Sequence, residues 1–539
     1  MSLPTRQNPY SYSSFLNKRD GFDYYRDDPF IQKVIKKYAA GEWENLHEIL
    51  LGFSPKVSFR WSAFAEKIAY PDVRPYIQHY DAYNRRIDRI VRPMETHLLE
   101  EEIFSQGLFS EKTSPWEYFS KLFLLHQMGE TGVMCPVACT EGLIALINYY
   151  PDHGLKELDE IYRHCKEGID GNFAIGAQYM TEIQGGSDIP SNLMEAEPNG
   201  PYYRIYGSKF FCSAVHADYA VVTAKVTGSK KVGTFIVPSW MPGDKEKELR
   251  NSYIINRIKW KMGTVELPTA ELDFSGAIAY PIGPLDRGVA NAVGIVLTLS
   301  RMAVGVSSAA IMTRAAREAL LYSEFRDVFG EKINKHPLAV NQLQNIEEAA
   351  KRTTAGAFKI YDLFIRLGRK LQPSLYSDEP PETQKARFNL RELILLQKIF
   401  ASYETIDTVR KAISIFGGHG VIEDFSSLPR LLRDALVNEL WEGPRNVLLM
   451  QIYRDLQRIS EFYSPGEFVL SLLEGGDESE AKEIAEEFTR MLSSSTLIGT
   501  ESQNLHAALE WEQLCEKLFR SYQAVALDEV VRAPLVEAY

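Results

Sequence analysis

The chain has no run of eighteen or more apolar residues, so no helix is expected to span a membrane. Its start lacks the apolar segment of a secretory signal. From Met1 to Asp28 the residues Arg6, Lys18 and Arg19 mix with Asp20, Asp23, Asp27 and Asp28, and the stretch reads as an extended arm or linker. Cysteine is scarce and odd in number. Cys135, Cys139, Cys165, Cys212 and Cys515 show no zinc or redox spacing, and the Cys135–Cys139 pair has no second pair downstream. Buried free thiols in a reducing compartment are the expectation. Cytosol is the simplest placement, and the alternative is a mitochondrial matrix from which a transit peptide has been removed. Positive charge is also short: 60 Lys and Arg face 72 Asp and Glu, a net charge of -12. That balance gives no general attraction to DNA or an anionic membrane. No repeat and no GxGxxG fingerprint after a strand is found.

What is present is a 539-residue chain, 45% hydrophobic and 24% charged, too long for a single core. After an arm over 1–53, residues 54–170 are helical in flavour, with apolar residues at three and four spacing (Ile87, Ile90, Val91, Met94; Tyr118, Leu122, Leu125). Between 171 and 288 short alternating runs broken by turn residues predict a small antiparallel β domain. Its strands are Tyr202–Tyr206, Lys209–Ser213 after a Gly-Ser turn, the hairpin Tyr219–Lys225 with Gly233–Pro238, Ile258–Leu267 and Glu271–Phe274. Helical periodicity returns over 289–450, where Asn291–Phe325, Gln342–Leu371 and Arg387–Phe416 are each long enough for a bundle helix. A helical extension occupies 451–539. The fold class is α+β and mostly α.

Five stretches carry chemistry. Arg433–Val447 centres on Glu442, a carboxylate between Trp441 and Gly443. Burial against the indole would raise its pKa toward working pH, which suits removal of a weakly acidic C–H proton, while Gly443 would let a ligand approach the backbone and leave the Glu442 amide free to donate. Alone, Trp-Glu-Gly is more often the end of a helix with a solvated glutamate. Met180-Thr-Glu-Ile-Gln-Gly-Gly-Ser-Asp188 has closely spaced amides, two glycines and the Thr181 and Ser187 hydroxyls, suited to wrapping a planar or phosphorylated cofactor, or simply to a tight turn. Phe211 and Ser213, two apart on a strand, share one face. Arg326 with Phe329-Gly330, and Gly417-Gly-His-Gly420, would receive an adenine and a diphosphate, or else form a surface ion pair and a helix cap.

In this order and at these intervals the motifs resemble the acyl-CoA dehydrogenase flavoprotein family. The resemblance covers roughly Tyr80 to Tyr453. It implies an N-terminal helical domain, a middle antiparallel β domain and a C-terminal four-helix bundle, assembled as a homotetramer. It further implies FAD held by Met180, Thr181, Gly186 and Ser187, by Phe211 against the ring and Ser213 near N5, and by Trp441, Gly443 and Asn446. Arg326, Phe329, Gly417 and Gly418 would receive the FAD of a neighbouring subunit. Ser187 and Arg301 would touch the acyl-CoA, and Glu442 would be the base that removes its α-proton as the β-hydrogen leaves as hydride. One branch places the base just before Arg301; here that position is Ser300. The electron-transfer flavoprotein is the implied acceptor, and no metal is implied.

Several positions depart from the common pattern: Phe211 and Ser213 where tryptophan and threonine are usual, Ser414 for glutamine, Thr298 for aspartate, and Pro444 and Asn446 after the base. With the long tail, these look most like the branch named for the alkylation-response protein AidB. Members of that branch bind FAD but can be poor dehydrogenases, and some associate with DNA. From Gln451 to Tyr539, however, seventeen acidic residues face seven basic ones, which argues against DNA. Three readings therefore enter the structural comparison: an FAD-dependent dehydrogenase giving a trans-2-enoyl-CoA, a flavoprotein that binds acyl-CoA or DNA with little turnover, and a flavin oxidase, against which glutamate rather than aspartate at 442 counts.

Overall fold

The computed structural model describes residues 10–169, 171–494, 497 and 502–533. The N-terminal region is helical from the outset: α1 (Ser13–Asp20), α2 (Pro29–Tyr38), α3 (Trp43–Pro55) and α4 (Ser62–Ile68). This overturns the extended arm, of which the first nine residues lie outside the described ones. The charged residues there hide an apolar set, because Phe15, Tyr25, Ile31, Val34, Leu46 and Leu50 are all buried. Asp28 starts α2 by accepting from the amides of Phe30 and Ile31, with Pro29 at the first helical position.

A second correction follows directly in the chain. Ile87, Ile90 and Val91 belong to a hairpin, β1 (Tyr76–Tyr80) and β2 (Arg86–Val91), not to a helix. Asp81 holds the turn by accepting from the amides of Tyr83 and Arg85, and Asn84 takes the left-handed conformation there. Helices α5 (Met94–Phe104), α6 (Pro115–His126), α7 (Thr131–Tyr149) and α8 (Lys156–Glu167) complete the first region. Glu130 caps α7, its two carboxylate oxygens accepting from Gly132 and Val133.

The middle region is one seven-stranded sheet of β3 (Gly176–Tyr179), β4 (Glu195–Asn199), β5 (Tyr202–Ser213), β6 (Tyr219–Val226), β7 (Val232–Pro238), β8 (Tyr253–Ile258) and β9 (Thr269–Pro281). The β6–β7 hairpin stands as expected. Three details differ. The Gly207-Ser208 pair is no turn but lies inside the continuous β5, where bulges against β9 absorb the irregularity. Strand β8 ends where a strand from Ile258 was expected, leaving 259–268 as a loop. Finally, β6 runs parallel to β3 and to β4, so the sheet is mixed.

The C-terminal bundle follows α9 (Gly288–Asn291) and comprises α10 (Leu297–Phe325), α11 (Pro337–Arg366), α12 (Pro381–Phe416) and α13 (Leu428–Leu440). The tight hairpin β10 (Asp327–Val328) with β11 (Glu331–Lys332) joins α10 to α11. Gly305 lets α10 and α12 approach, since a Cβ there would lie 2.4 Å from the Gln397 side chain. Two stretches, α7 and Gly288–Phe325, are long and apolar enough to cross a bilayer, yet both are mostly buried inside the fold. The extension forms α14 (Arg445–Ile459), α15 (Pro465–Leu472), α16 (Glu478–Ser494) and α17 (Ser502–Arg532). It is part of the same body: Trp511 donates to the Leu449 carbonyl and Gln523 to the Thr353 hydroxyl.

Candidate active site

Helix α13 ends at Leu440, and the chain turns sharply through Glu442, whose φ of 59° is left-handed, and Gly443 at 105°. A glutamate is rarely left-handed, so the turn must be held from outside. Two buried basic side chains hold it, Arg301 and Lys398, the latter pushed down to about 7 by burial. The Arg301 Nε on α10 donates to the Glu442 carbonyl at 2.9 Å, and the Lys398 Nζ on α12 donates to the carbonyls of Glu439 and Gly443, both at 2.6 Å. The Glu442 amide makes no hydrogen bond among the described residues and is free to donate.

The position of Arg301 corrects an expectation. It is 5% exposed and committed to the base's own turn, so it is not an open contact for CoA. Gly443 is corrected likewise. A Cβ there would lie 2.8 Å from Leu448 Cδ2, so the glycine makes room for the protein's own leucine rather than for a ligand.

The Glu442 side chain points inward and accepts from Gln178 Nε2 on β3 at 3.0 Å. Burial pushes its carboxyl up to about 7, against the lowering pull of Arg301, Lys398 and the Gln178 bond. A carboxyl raised this far is suited to general-base work near neutrality. Activity needing the carboxylate should therefore rise with pH along a limb centred near 7. Stability moves the other way. The unfolded group titrates near 4.5, so its contribution to folding is complete below that value and is lost as pH climbs through about 7. Replacing Lys398 by methionine removes one cation facing Glu442. The rising limb of a kcat/KM pH profile is then expected to move to higher pH, and an unmoved limb would separate Lys398 from the base.

Glu442 lines a cavity of about 590 Å³, open mouth included, bounded by α7, α10 and α13. Its lining includes Cys135, Cys139, Ser300, Val304, Asp434 and Trp441. The two cysteines carry free thiols whose sulfurs lie 4.0 Å apart. Buried carboxyls gather away from the base: Glu130 is pushed up to about 8 and Asp434 to about 7, each by burial first and by Glu266 second. Sequence reading did not find Gln178, Lys398 or this carboxyl group. For Gln178 a signal existed, since it stands on the strand that feeds the Thr181–Asp188 loop.

That loop is anchored by a residue not singled out in advance. Glu182 accepts from the buried Lys209 Nζ at 2.9 Å and from the amides of Leu193 and Met194. Lys209 also donates to the Met180 carbonyl. Gly186 is required because a Cβ would fall 2.3 Å from the Thr181 hydroxyl. On the adjoining β5, Phe211 is 49% exposed, with Lys259 Nζ 4.6 Å from its ring centre, and Ser213 meets Thr269 at 3.1 Å.

The remaining sequence-derived residues lie apart from the base. Arg326, Gly417 and Gly418 line a groove with Tyr322, Phe416 and His419 at the other end of the bundle. Arg326 donates to Tyr10 at 2.8 Å. Phe329, at the hairpin tip, is 97% exposed. Asn446 is exposed in the first turn of α14. No group of metal-ligating side chains occurs among the described residues.

A helical region, a central sheet and a helical bundle, with a half-buried carboxyl beside the bundle lining a cavity, make up the fold and its candidate site. Residues 177–277 match the acyl-CoA dehydrogenase middle domain and residues 286–457 its C-terminal domain, together just over half of the chain. The chain belongs to the acyl-CoA dehydrogenase family. It is 29% identical over 483 residues to acyl-CoA dehydrogenase family member 11 of Caenorhabditis elegans, covering 84% of this chain and 74% of that protein. It is 27% identical over 402 residues to the putative acyl-CoA dehydrogenase AidB of Escherichia coli K12, covering 72% and 70%. The structure of Caenorhabditis elegans ACDH-11 in complex with C11-CoA superposes with a TM-score of 0.78 at 25% identity, covering 100% of this chain and 96% of that one.

Proposed function

We propose that this protein is an FAD-dependent acyl-CoA dehydrogenase in which Glu442 removes the α-proton of an acyl thioester, giving a trans-2-enoyl-CoA. The observation that carries this reading is the half-buried Glu442 carboxyl, raised to about 7, which lines a cavity beside a free backbone amide. The complex of ACDH-11 with C11-CoA supports the substrate class.

The residues present fit FAD. The hydroxyls of Thr181 and Ser187 make no hydrogen bond within the described residues, and half of Phe211 is uncovered beside them. At Gly417 and Gly418 an added Cβ would meet nothing within 4 Å, so side chains there would fill the open groove beside Arg326. Thr181, Ser187, Phe211 and Ser213 would hold the flavin half, and Arg326, Phe329, Gly417 and Gly418 the adenine half from a neighbouring subunit of a homotetramer. FAD, when bound, supplies the acceptor for the hydride leaving Cβ of the substrate, with an electron-transfer flavoprotein as the onward partner.

The chain itself does the acid–base work. Glu442 receives the α-proton on its carboxylate, and the Glu442 amide donates to the thioester oxygen as negative charge develops there. Arg301 and Lys398 fix the turn so that the side chain and the amide of one residue serve both tasks, a gain from orientation. Gln178 steadies the carboxylate in its reactive rotamer.

Anaerobic addition of acyl-CoAs of graded length to the FAD-loaded protein is expected to bleach the flavin absorbance. A loaded protein that stays yellow with every thioester would favour a binding role. The acidic, bundle-packed extension does not favour DNA as the ligand.

A further inference from the structure

The cavity that Glu442 lines is mainly apolar, with Met134, Val304, Ile311 and Trp441 on its wall, yet it carries polar side chains that have no partner in the fold. Asn438 stands in the last turn of α13, four residues before Glu442, and is only 7% exposed. Its amide lines the cavity and makes no hydrogen bond among the described residues. Ser307 on α10 is 8% exposed, lines the same space, and its hydroxyl also has no partner among those residues. A helical serine ordinarily bonds back to its own helix, as Ser308 does to the Val304 carbonyl. His126 adds a third such group: it lines the cavity, and its Nε2 is buried and unpartnered.

Neighbouring polar residues have structural duties. Glu130 caps α7, and Asp434 accepts from the Thr264 amide at 2.6 Å and the Thr131 hydroxyl at 3.4 Å. Those bonds explain why Glu130 and Asp434 are there; nothing comparable explains Asn438, Ser307 or His126. An alkyl chain laid along these groups would offer them no hydrogen bond.

Resting on the dehydrogenase reading, we propose that the preferred substrates are acyl-CoAs whose chain carries a hydroxyl group, received between Asn438 and Ser307. A hydroxyl both donates and accepts, and so do the asparagine amide, the serine hydroxyl and a neutral imidazole. An ammonium group fits less well. Asn438 and Ser307 are uncharged, and the adjacent carboxylates are already engaged by backbone amides and faced by Arg430. The cavity thus selects its substrate by a hydrogen bond made beyond the reacting carbons, where it leaves the Glu442 chemistry untouched.

The test uses the FAD-loaded full chain and pairs of acyl-CoAs of equal length, one plain and one hydroxylated, with the hydroxyl walked along the chain. Binding is read by calorimetry and turnover by flavin bleaching. At one hydroxyl position the wild type is expected to favour the hydroxylated partner by roughly tenfold in Kd and kcat/KM, the worth of one net hydrogen bond. Asn438→Leu should erase that preference while keeping bleaching by the plain chain. Ser307→Ala, a change that disturbs no packing partner by size, should reduce it if the leucine variant fails to fold. Plain chains preferred at every hydroxyl position, or a preference unchanged in both variants, would overturn the inference and leave the dehydrogenase reading standing. Bleaching by neither member of any pair would instead remove the dehydrogenase reading and this inference with it.

Discussion

Glu442→Gln is expected to retain FAD and lose roughly 10²–10⁴-fold in flavin bleaching rate, the usual worth of a positioned general base. The amide is nearly isosteric with the acid and can still meet Gln178, so the cavity and the turn held by Arg301 and Lys398 should persist. Only the proton acceptor is gone. The size of the loss also separates two roles of one residue: the backbone amide facing the thioester remains, so substrate affinity should change far less than the rate. Stopped-flow absorbance with a bound-FAD check measures both. A variant that bleaches at the wild-type rate would move the base to another side chain, and Ser300, the alternative position beside Arg301, has no carboxylate to offer.

The second large effect concerns stability and cofactor retention together. Lys209 is fully buried on β5, and its ammonium is held by Glu182, the Met180 carbonyl and the Thr223 hydroxyl. Burial pushes the lysine down, while Glu182 is held below the usual carboxylate range by Lys209 and by amide bonds despite its own burial. Lys209→Met leaves Glu182 as a buried charge without its cation. The expected cost is about 3–5 kcal/mol. Because Glu182 ties down the loop that carries Thr181 and Ser187, the variant should also lose FAD at lower temperature. Urea denaturation and flavin-release fluorescence read the two consequences; an unchanged midpoint would show that the pair can be replaced by apolar packing.

How much of this could be read beforehand depends on the range of the interactions. The bundle helices were visible because their apolar residues recur locally, and Glu442 was visible because Trp441 and Gly443 are its immediate neighbours. The β1–β2 hairpin was misread because Ile87, Ile90 and Val91 suit a helical stripe and a half-buried strand equally, and only Asn84 marks the turn. The N-terminal helices were missed because surface charges surround single buried aromatics such as Phe15 and Tyr25. The groups that govern Glu442 come from far away: Gln178 is 264 residues distant in sequence and Lys398 lies on another helix. No local pattern records that a lysine in the middle of α12 ends at the carbonyl of Gly443. For the same reason Arg301 is expected from the sequence to touch CoA, when its guanidinium donates to the Glu442 carbonyl.

The central claim is that one carboxylate takes a proton from the carbon beside the thioester. It is tested most directly by incubating an acyl-CoA with the protein in deuterated water, without oxygen or an electron acceptor, and following the α-proton signal by NMR. The wild type is expected to wash deuterium into the α-position, faster as pH rises through about 7, and Glu442→Gln to leave that signal intact. Equal exchange in both proteins, or none in the wild type with substrate bound, would contradict the account.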